Sequence, residues 1–226
     1  MKNRRDSVVV SWSGGKDSAR CLGAVEDDED REVVGLLTTV DETEGRIPFH
    51  GVERRWIEAQ ADRLDLPVTV VELPPQPSNE VYERRLRPVV TDLNDQGVDA
   101  IAFGDLFLEE IRAYRERQMR EAALDTIFPL WGRDTAMLAR QIVDDGWQAI
   151  VTGVDTDQID ADILGRRYDH ALLDGLPEGV DPCAENGEFH TFVVDGPLFS
   201  SPISVDVRRR EIGDGRFRYV GFGESG

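Results

Sequence analysis

The stretch Val8-Val9-Val10-Ser11-Trp12-Ser13-Gly14-Gly15-Lys16-Asp17-Ser18 decides how this chain is read. Its β-branched start reads as a buried strand, and Ala19-Arg20-Cys21-Leu22-Gly23-Ala24-Val25 behind it reads as a helix. The two glycines between them permit a tight turn and let backbone N–H groups face a ligand. Asp17 or Ser18 is expected to cap the helix, whose positive end favours an anion. Lys16 adds to this. The 26 basic residues include just one other lysine, Lys2, so an ammonium is retained where a phosphate cradle would use one. It is expected to be an exposed loop charge of little weight in stability.

Outward from this loop, apolar runs and helical patterns alternate. Residues 33–39, 68–71 and 100–103 read as further strands, while 51–64, 79–96 and 108–123 read as helices. Ser78 or Asn79 caps the middle one, and Pro88 interrupts it without excluding it. Such βαβα alternation predicts an α/β fold, a parallel sheet with helices on both faces. In these sheets ligands bind beyond the carboxyl ends of the strands. That rim collects residues 13–18, Thr38-Thr39 and Gly104-Asp105. Thr38 is expected to border an adenosine, and Gly104 to allow close approach to it; Ser11 and Asp105 complete the candidate nucleotide contacts.

After about Phe128 the pattern changes. Residues 134–145 read as a helix, 149–154 as a strand, and 203–207 with 216–222 as a terminal antiparallel pair. A smaller α+β domain is expected, with residues 1–128 forming the first domain and 129–226 the second; the boundary falls anywhere from about 125 to 135. Within the second lies Asp181-Pro182-Cys183-Ala184-Glu185-Asn186-Gly187-Glu188-Phe189-His190-Thr191-Phe192. Carboxylates, an amide, a histidine and a threonine gather there around one glycine, with a strand following.

Composition bounds the function. With 226 residues, 40% of them hydrophobic, the chain can bury a full core. No run approaches the roughly 18 apolar residues that span a bilayer, and the N-terminus does not read as a signal peptide, so a soluble cytoplasmic protein is expected. A net charge of −19, from 45 acidic and 26 basic residues, disfavours nucleic acid as a partner. Acid excess with scarce lysine fits a salt-rich, halophilic cytoplasm. The acidic block Glu26-Asp27-Asp28-Glu29-Asp30 reads as a solvated turn. Cys21 and Cys183 form no disulfide framework.

The loop is not a Walker P-loop, because Lys16 is followed by Asp17 and the upstream glycine is missing. Ser-Gly-Gly-Lys-Asp-Ser instead resembles the PP-loop of the adenine nucleotide α-hydrolase superfamily. That resemblance implies cleavage of ATP between its α and β phosphates, with pyrophosphate held in the loop. Phe103-Gly104-Asp105-Leu106-Phe107-Leu108-Glu109, Phe128-Pro129-Leu130-Trp131, Glu185-Asn186-Gly187-Glu188 and Asp195-Gly196-Pro197 extend the likeness. Together these pieces resemble the diphthine–ammonia ligase family over nearly the whole chain. The family implies a HUP-type, Rossmann-like first domain and a substrate domain. Its chemistry adenylates a carboxylate, that of diphthine on translation elongation factor 2, and ammonia converts it to the amide.

On that resemblance Lys16 is the catalytic ammonium facing pyrophosphate. Ser13, Gly14, Gly15 and Ser18 bind phosphate, and Asp17 contacts Mg²⁺. Glu185, Asn186, Gly187, Glu188 and Thr191 bind the acceptor, with Glu188 or His190 taking the proton from ammonium. One departure stands out: Phe189-His190-Thr191 replaces the Tyr/Phe-Glu-Thr of diphthine ligases. It resembles a sister branch of uncertain substrate, for which cobalamin-related amide chemistry is an alternative. A tRNA-modifying PP-loop enzyme and a nucleotide sensor without turnover are the other readings.

Overall fold

In the computed structural model, which describes residues 4–212 and 215–224, two sheets share one core. Lys2 lies outside the described residues. Strands β1 (Asp6–Ser11), β2 (Arg31–Asp41), β3 (Val68–Leu73), β4 (Ala100–Ala102) and β5 (Asp125–Ile127) form a wholly parallel sheet in the order β3-β2-β1-β4-β5. This is the Rossmann-like order, in which the chain starts at the centre and winds outward both ways. The central strands are buried on both faces, which is why Val8-Val9-Val10 and Ala100-Ile101-Ala102 are apolar without interruption. Val8 and Val10 face one core cluster with helices α1 (Lys16–Glu26) and α2 (Arg54–Leu64). Val9, between them, faces the other with α3 (Asn79–Asp95) and α4 (Glu109–Glu121).

The α/β reading therefore holds, with two local corrections and one choice between expected caps resolved. Strand β5 was not legible, because Asp125-Thr126-Ile127 is too short to show a period. The second helix starts at Arg54 rather than at residue 51, since Gly51 sits at φ +68° in the turn ahead of it. Ser78 rather than Asn79 caps α3, its Oγ accepting from Val81 N, and Pro88 lies inside that helix.

The second sheet is antiparallel. Its centre is β6 (Gln148–Asp155), reached through α5 (Thr135–Asp144). One edge of β6 pairs with β8 (Phe189–Asp195). The other pairs first with the short β7 (Arg167–Tyr168), which leads into helix α6 (His170–Asp174), and then with β10 (Phe217–Glu224). Strand β9 (Val205–Ile212) closes the sheet against β10, giving the expected terminal pair. Phe192, Val193 and Phe222 of this sheet lie in the same apolar cluster as α1 and α2, so the core runs from one sheet to the other.

A hairpin-like loop after β2 ties the two sheets. Arg46 and Glu53 bridge at its base, and its tip, residues 48–51, reaches the second sheet. A Cβ on Gly51 would stand 2.7 Å from the Tyr219 ring, and one on Gly153 would stand 2.9 Å from Phe49 O. Gly51→Ala combines that clash with a left-handed backbone, so a loss of about 2 kcal/mol is expected in urea unfolding. An unchanged midpoint would mean that the tip is not seated on the sheet.

Candidate functional site

Residues 12–15 leave β1 and turn into α1 at the carboxyl rim of the parallel sheet. The turn is fixed by a buried amide. Gln60 of α2 donates Nε2 to Gly14 O at 3.0 Å and to Val193 O at 2.6 Å, while its Oε1 accepts from Trp12 Nε1 at 2.8 Å. Val193 N donates to the same Gly14 carbonyl at 2.8 Å. Gly14 lies at φ +80°, and a Cβ there would stand 2.6 Å from Ile57 Cδ1. The glycines thus serve the turn and the packing behind it, leaving the backbone forward. Among the described residues the N–H groups of Ser13, Gly14 and Ser18 have no hydrogen-bond partner. Free donors gathered at a helix start fit the phosphates of a nucleotide.

Neither Asp17 nor Ser18 caps α1. Gly15 is the N-cap, and Ser18 Oγ turns back to donate to Gly15 O at 2.8 Å. The cap comes from the second sheet: Lys16 N donates to Thr191 Oγ1 at 3.1 Å, across 175 residues of sequence. Thr191 is therefore part of the frame of the loop.

Lys16 is not an exposed charge. It is 2% exposed, and its Nζ donates to Cys183 O at 2.5 Å and to Asp17 Oδ2 at 2.9 Å. The rings of Tyr168 and Phe189 flank it at 5.4 and 5.5 Å. Burial is the largest influence and works against its charge, but Asp17, through charge and hydrogen bond, together with Cys183 and Asp181 outweighs it and raises the pKa, so the ammonium persists. Burial likewise raises the Asp17 carboxyl, only partly offset by Lys16. Asp17 Oδ1 is buried with no partner.

Around this pair the other expected residues take definite places. Glu185 Oε1 accepts from Leu106 N at 2.7 Å, bridging the second half of the chain to the loop after β4. Burial, with Asp17 and Asp105 nearby, pushes its carboxyl up to about 7 against the Leu106 bond. Glu188 is buried and accepts from Asp181 N and Asn186 Nδ2, each at 3.0 Å, with Oε2 left unpaired. Gly187 makes the left-handed turn between them at φ +82°. Asp105 pairs with Arg115 at 2.7 Å. A Cβ on Gly104 would stand 2.9 Å from Asp17 O, so what approaches closely there is the backbone of α1. Thr38 is 2% exposed with an unpartnered Oγ1, and Ser11 ends β1 half-buried.

His190 lies beside His50, with ring centroids 4.8 Å apart. Burial pushes the His190 pKa well below 6.5, helped by His50 and Lys16. His50 falls to about 4, mainly through burial. Cys183 is buried, its Sγ donating to Thr135 O, and burial pushes its thiol up, which does not suit a nucleophile. Sequence reading missed Gln60 and the Cys183 carbonyl, and it places His50 at the end of a loop on the rim as a structural or surface residue. Gln60 left a signal: it shares a helical face with Trp56, Ile57 and Ala61, a polar residue in an apolar stripe. The carbonyl left none.

Comparison with known proteins adds the family. The model of the diphthamide synthase N-terminal domain matches residues 6–126, and that of the C-terminal domain matches residues 134–219. The chain belongs to the diphthamide synthase family. Among relatives, the diphthine–ammonia ligase of Danio rerio is 30% identical over 179 residues, covering 75% of this chain and 66% of that protein. Those of Rattus norvegicus and Homo sapiens are 25% and 24% identical, each covering 88% of this chain and 82% of the relative. The U34-tRNA thiolase NcsA from Methanococcus maripaludis, with its [4Fe-4S] cluster, matches at TM-score 0.37 and 15% identity over 63% of this chain and 58% of that one. That likeness is too distant to inform the chemistry.

The buried Lys16 makes a stability prediction opposite to that of a loop charge. Lys16→Met leaves Asp17 without its partner beside a desolvated carbonyl, so the fold should lose about 3 kcal/mol by urea titration. A loss under about 0.5 kcal/mol would show an ammonium that solvent reaches.

The site also titrates in two directions. His50 and His190 take up fewer protons folded than unfolded, so their contribution is complete above pH 6.5 and drains away as pH falls, that of His50 through about 4. Glu185 behaves oppositely: its contribution is complete below pH 4.5 and is lost as pH rises through about 7. Glu185→Gln should remove the opposing fall between pH 4.5 and about 7, so that stability rises more steeply with pH across that range than in the unaltered protein. Parallel profiles for the two proteins would refute the placement of this carboxyl.

Proposed function

We propose that this protein is an ATP-dependent ligase that activates an acceptor carboxylate as an acyl-adenylate and converts it to an amide with ammonia. The observation that carries the reading is the loop at residues 13–18. It offers unpaired backbone donors at a helix start, on the carboxyl rim of a Rossmann-like sheet, in a chain of the diphthamide synthase family. The named activity of the relatives supports diphthine as the acceptor, and the family resemblance implies that this diphthine is carried on translation elongation factor 2. Residues 1–128 are assigned to the nucleotide and 129–226 to the acceptor.

In the first step a carboxylate oxygen of the acceptor attacks the α-phosphorus of ATP, and the bond to the bridging oxygen breaks to release pyrophosphate. The N–H groups of Ser13, Gly14 and Ser18 and the positive end of α1 stabilise the charge that collects on the departing group. Lys16 adds a fixed positive charge from behind the loop. In the second step the nitrogen lone pair of ammonia attacks the acyl carbon, AMP leaves with the bonding pair, and the nitrogen loses a proton. Glu188 Oε1 already accepts two N–H groups, but its buried Oε2 is unpaired and can take that proton, whereas burial makes His190 a weak proton acceptor.

Among the described residues no three His, Cys, Asp or Glu side chains are grouped to hold a metal ion. Mg²⁺ fits as an ion carried in with the nucleotide, with Asp17 Oδ1 as the protein oxygen and phosphate and water oxygens for the rest. When bound, it would neutralise phosphate charge on a rim crowded with carboxylates.

The reading is tested by its nucleotide products. With ATP, ammonium and a diphthine-bearing acceptor, AMP and pyrophosphate should form in step with an amide product detected by mass spectrometry. ADP and orthophosphate would contradict it, and amidation of a small-molecule carboxylate alone would replace the acceptor while keeping the chemistry.

A further inference from the structure

Phe49 stands at the tip of the loop after β2, 62% exposed, on a left-handed backbone at φ +63°. An exposed phenyl ring gains nothing from burial, and a left-handed non-glycine residue costs about 1–2 kcal/mol. The tip is nonetheless rigid. Asp41 N donates to Arg46 O, Ile47 N to Val52 O and Gly51 N to Ile47 O, and Gly51 and Gly153 let the tip sit on the second sheet. A feature held so firmly in an unfavourable state points to a ligand.

The surroundings say which kind. The Phe49 ring lies 6.1 Å from His190 and 6.4 Å from Phe217, and His50 lies 4.8 Å from His190. His50 touches the phosphate loop itself, since a Cβ on Gly15 would stand 2.9 Å from His50 Cε1. The His50 Nδ1 donates to the Thr191 carbonyl at 3.0 Å, which leaves Nε2 as an acceptor. Neither ring nitrogen of His190 has a hydrogen-bond partner among the described residues. A neutral imidazole there offers one donor and one acceptor. The nearby cation, Arg216, covers Phe217 at 5.0 Å and is paired with Asp155 and Asp157.

We propose that Phe49, His50 and His190 seat the purine ring of the nucleotide whose phosphates the 13–18 loop holds. The proposal rests on the ATP reading above and extends it to a residue that nothing else assigns. Flat π-faces suit a base of any kind, and the unpaired imidazole nitrogens complement the amino group and adjacent ring nitrogen of an aminopurine. An acceptor is the poorer fit, because it must bring a carboxylate and Arg216, the cation stacked on Phe217, already has two carboxylate partners among the described residues. A second aromatic and cationic group lies beyond the 104–108 loop, where the Arg112 guanidinium, itself paired with Glu116 at 2.8 Å, stacks 4.7 Å from Trp131 and 5.1 Å from Phe128.

Calorimetry with Mg-ATP and, separately, with inorganic tripolyphosphate tests this on the full chain. Phe49→Ala should weaken ATP binding about 10-fold, the size of one lost base stack, and leave tripolyphosphate binding unchanged. Phe49→Trp should restore ATP affinity. Phe49→Gly should match the alanine variant while relieving the left-handed backbone, which guards against a folding defect. Unchanged ATP affinity in Phe49→Ala and Phe49→Gly would overturn the proposal, including the case where only the KM for acceptor rises. Parallel loss of ATP and tripolyphosphate binding in both would overturn it as well, since the loop would then act through the phosphate site. If the unaltered protein bound neither ligand, the ATP reading itself would fall.

Discussion

The start of α1 is held from the far end of the chain, and the site depends on that junction. Thr191 accepts the Lys16 N–H, Cys183 accepts its ammonium, and Val193 donates to Gly14 O. All three partners lie on or just before β8, so the phosphate loop is a product of both sheets. Gln60 locks the arrangement by bonding Gly14 O and Val193 O with one amide nitrogen. A helix start normally takes its cap from the residue just before it. Here Gly15 fills that position with a backbone alone, which frees the front of the turn and shifts the capping duty to a strand behind it.

This coupling changes how the acceptor segment is understood. Residues 185–191 look like a separate recognition loop when read in sequence. In the structure Glu185 holds Leu106, Glu188 holds the 181–186 turn, and Thr191 caps α1. A substitution in this segment reaches the nucleotide loop through one or two hydrogen bonds. Loss of nucleotide binding and loss of amide formation should therefore travel together for Thr191.

Much of the fold was legible because local pattern and global architecture agree. The run Val8-Val9-Val10 alternates between two cores, and the Trp56-Ile57-Gln60-Ala61 face shows the helical period. Strand β5 escaped because three residues carry no period, and its place is set by pairing with β4. Of the candidate site, the glycine turn and its position on the rim could be read directly. The cap at Thr191 could not, since no spacing links residues 175 apart. Nor could the contact of His50 with Gly15, which depends on a loop tip seated by two glycines on another sheet.

Lys16 answers a demand other than the one its sequence context suggests. Its retention in a chain that otherwise uses arginine reads naturally as a demand for a phosphate partner. The structure supplies a demand of shape. Nζ lies between the rings of Tyr168 and Phe189, with one carbonyl and one carboxylate oxygen within bonding distance. A compact ammonium directs its N–H groups at these two oxygens, whereas a planar guanidinium carries its donors in a wide, fixed fork. Arginine would have to spread between two rings that are themselves packed in the core, Phe189 at 1% and Tyr168 at 2% exposure. The constraint that keeps lysine is therefore felt by the folded chain before any nucleotide arrives. Its positive charge at the head of α1 is therefore set by the demands of the fold.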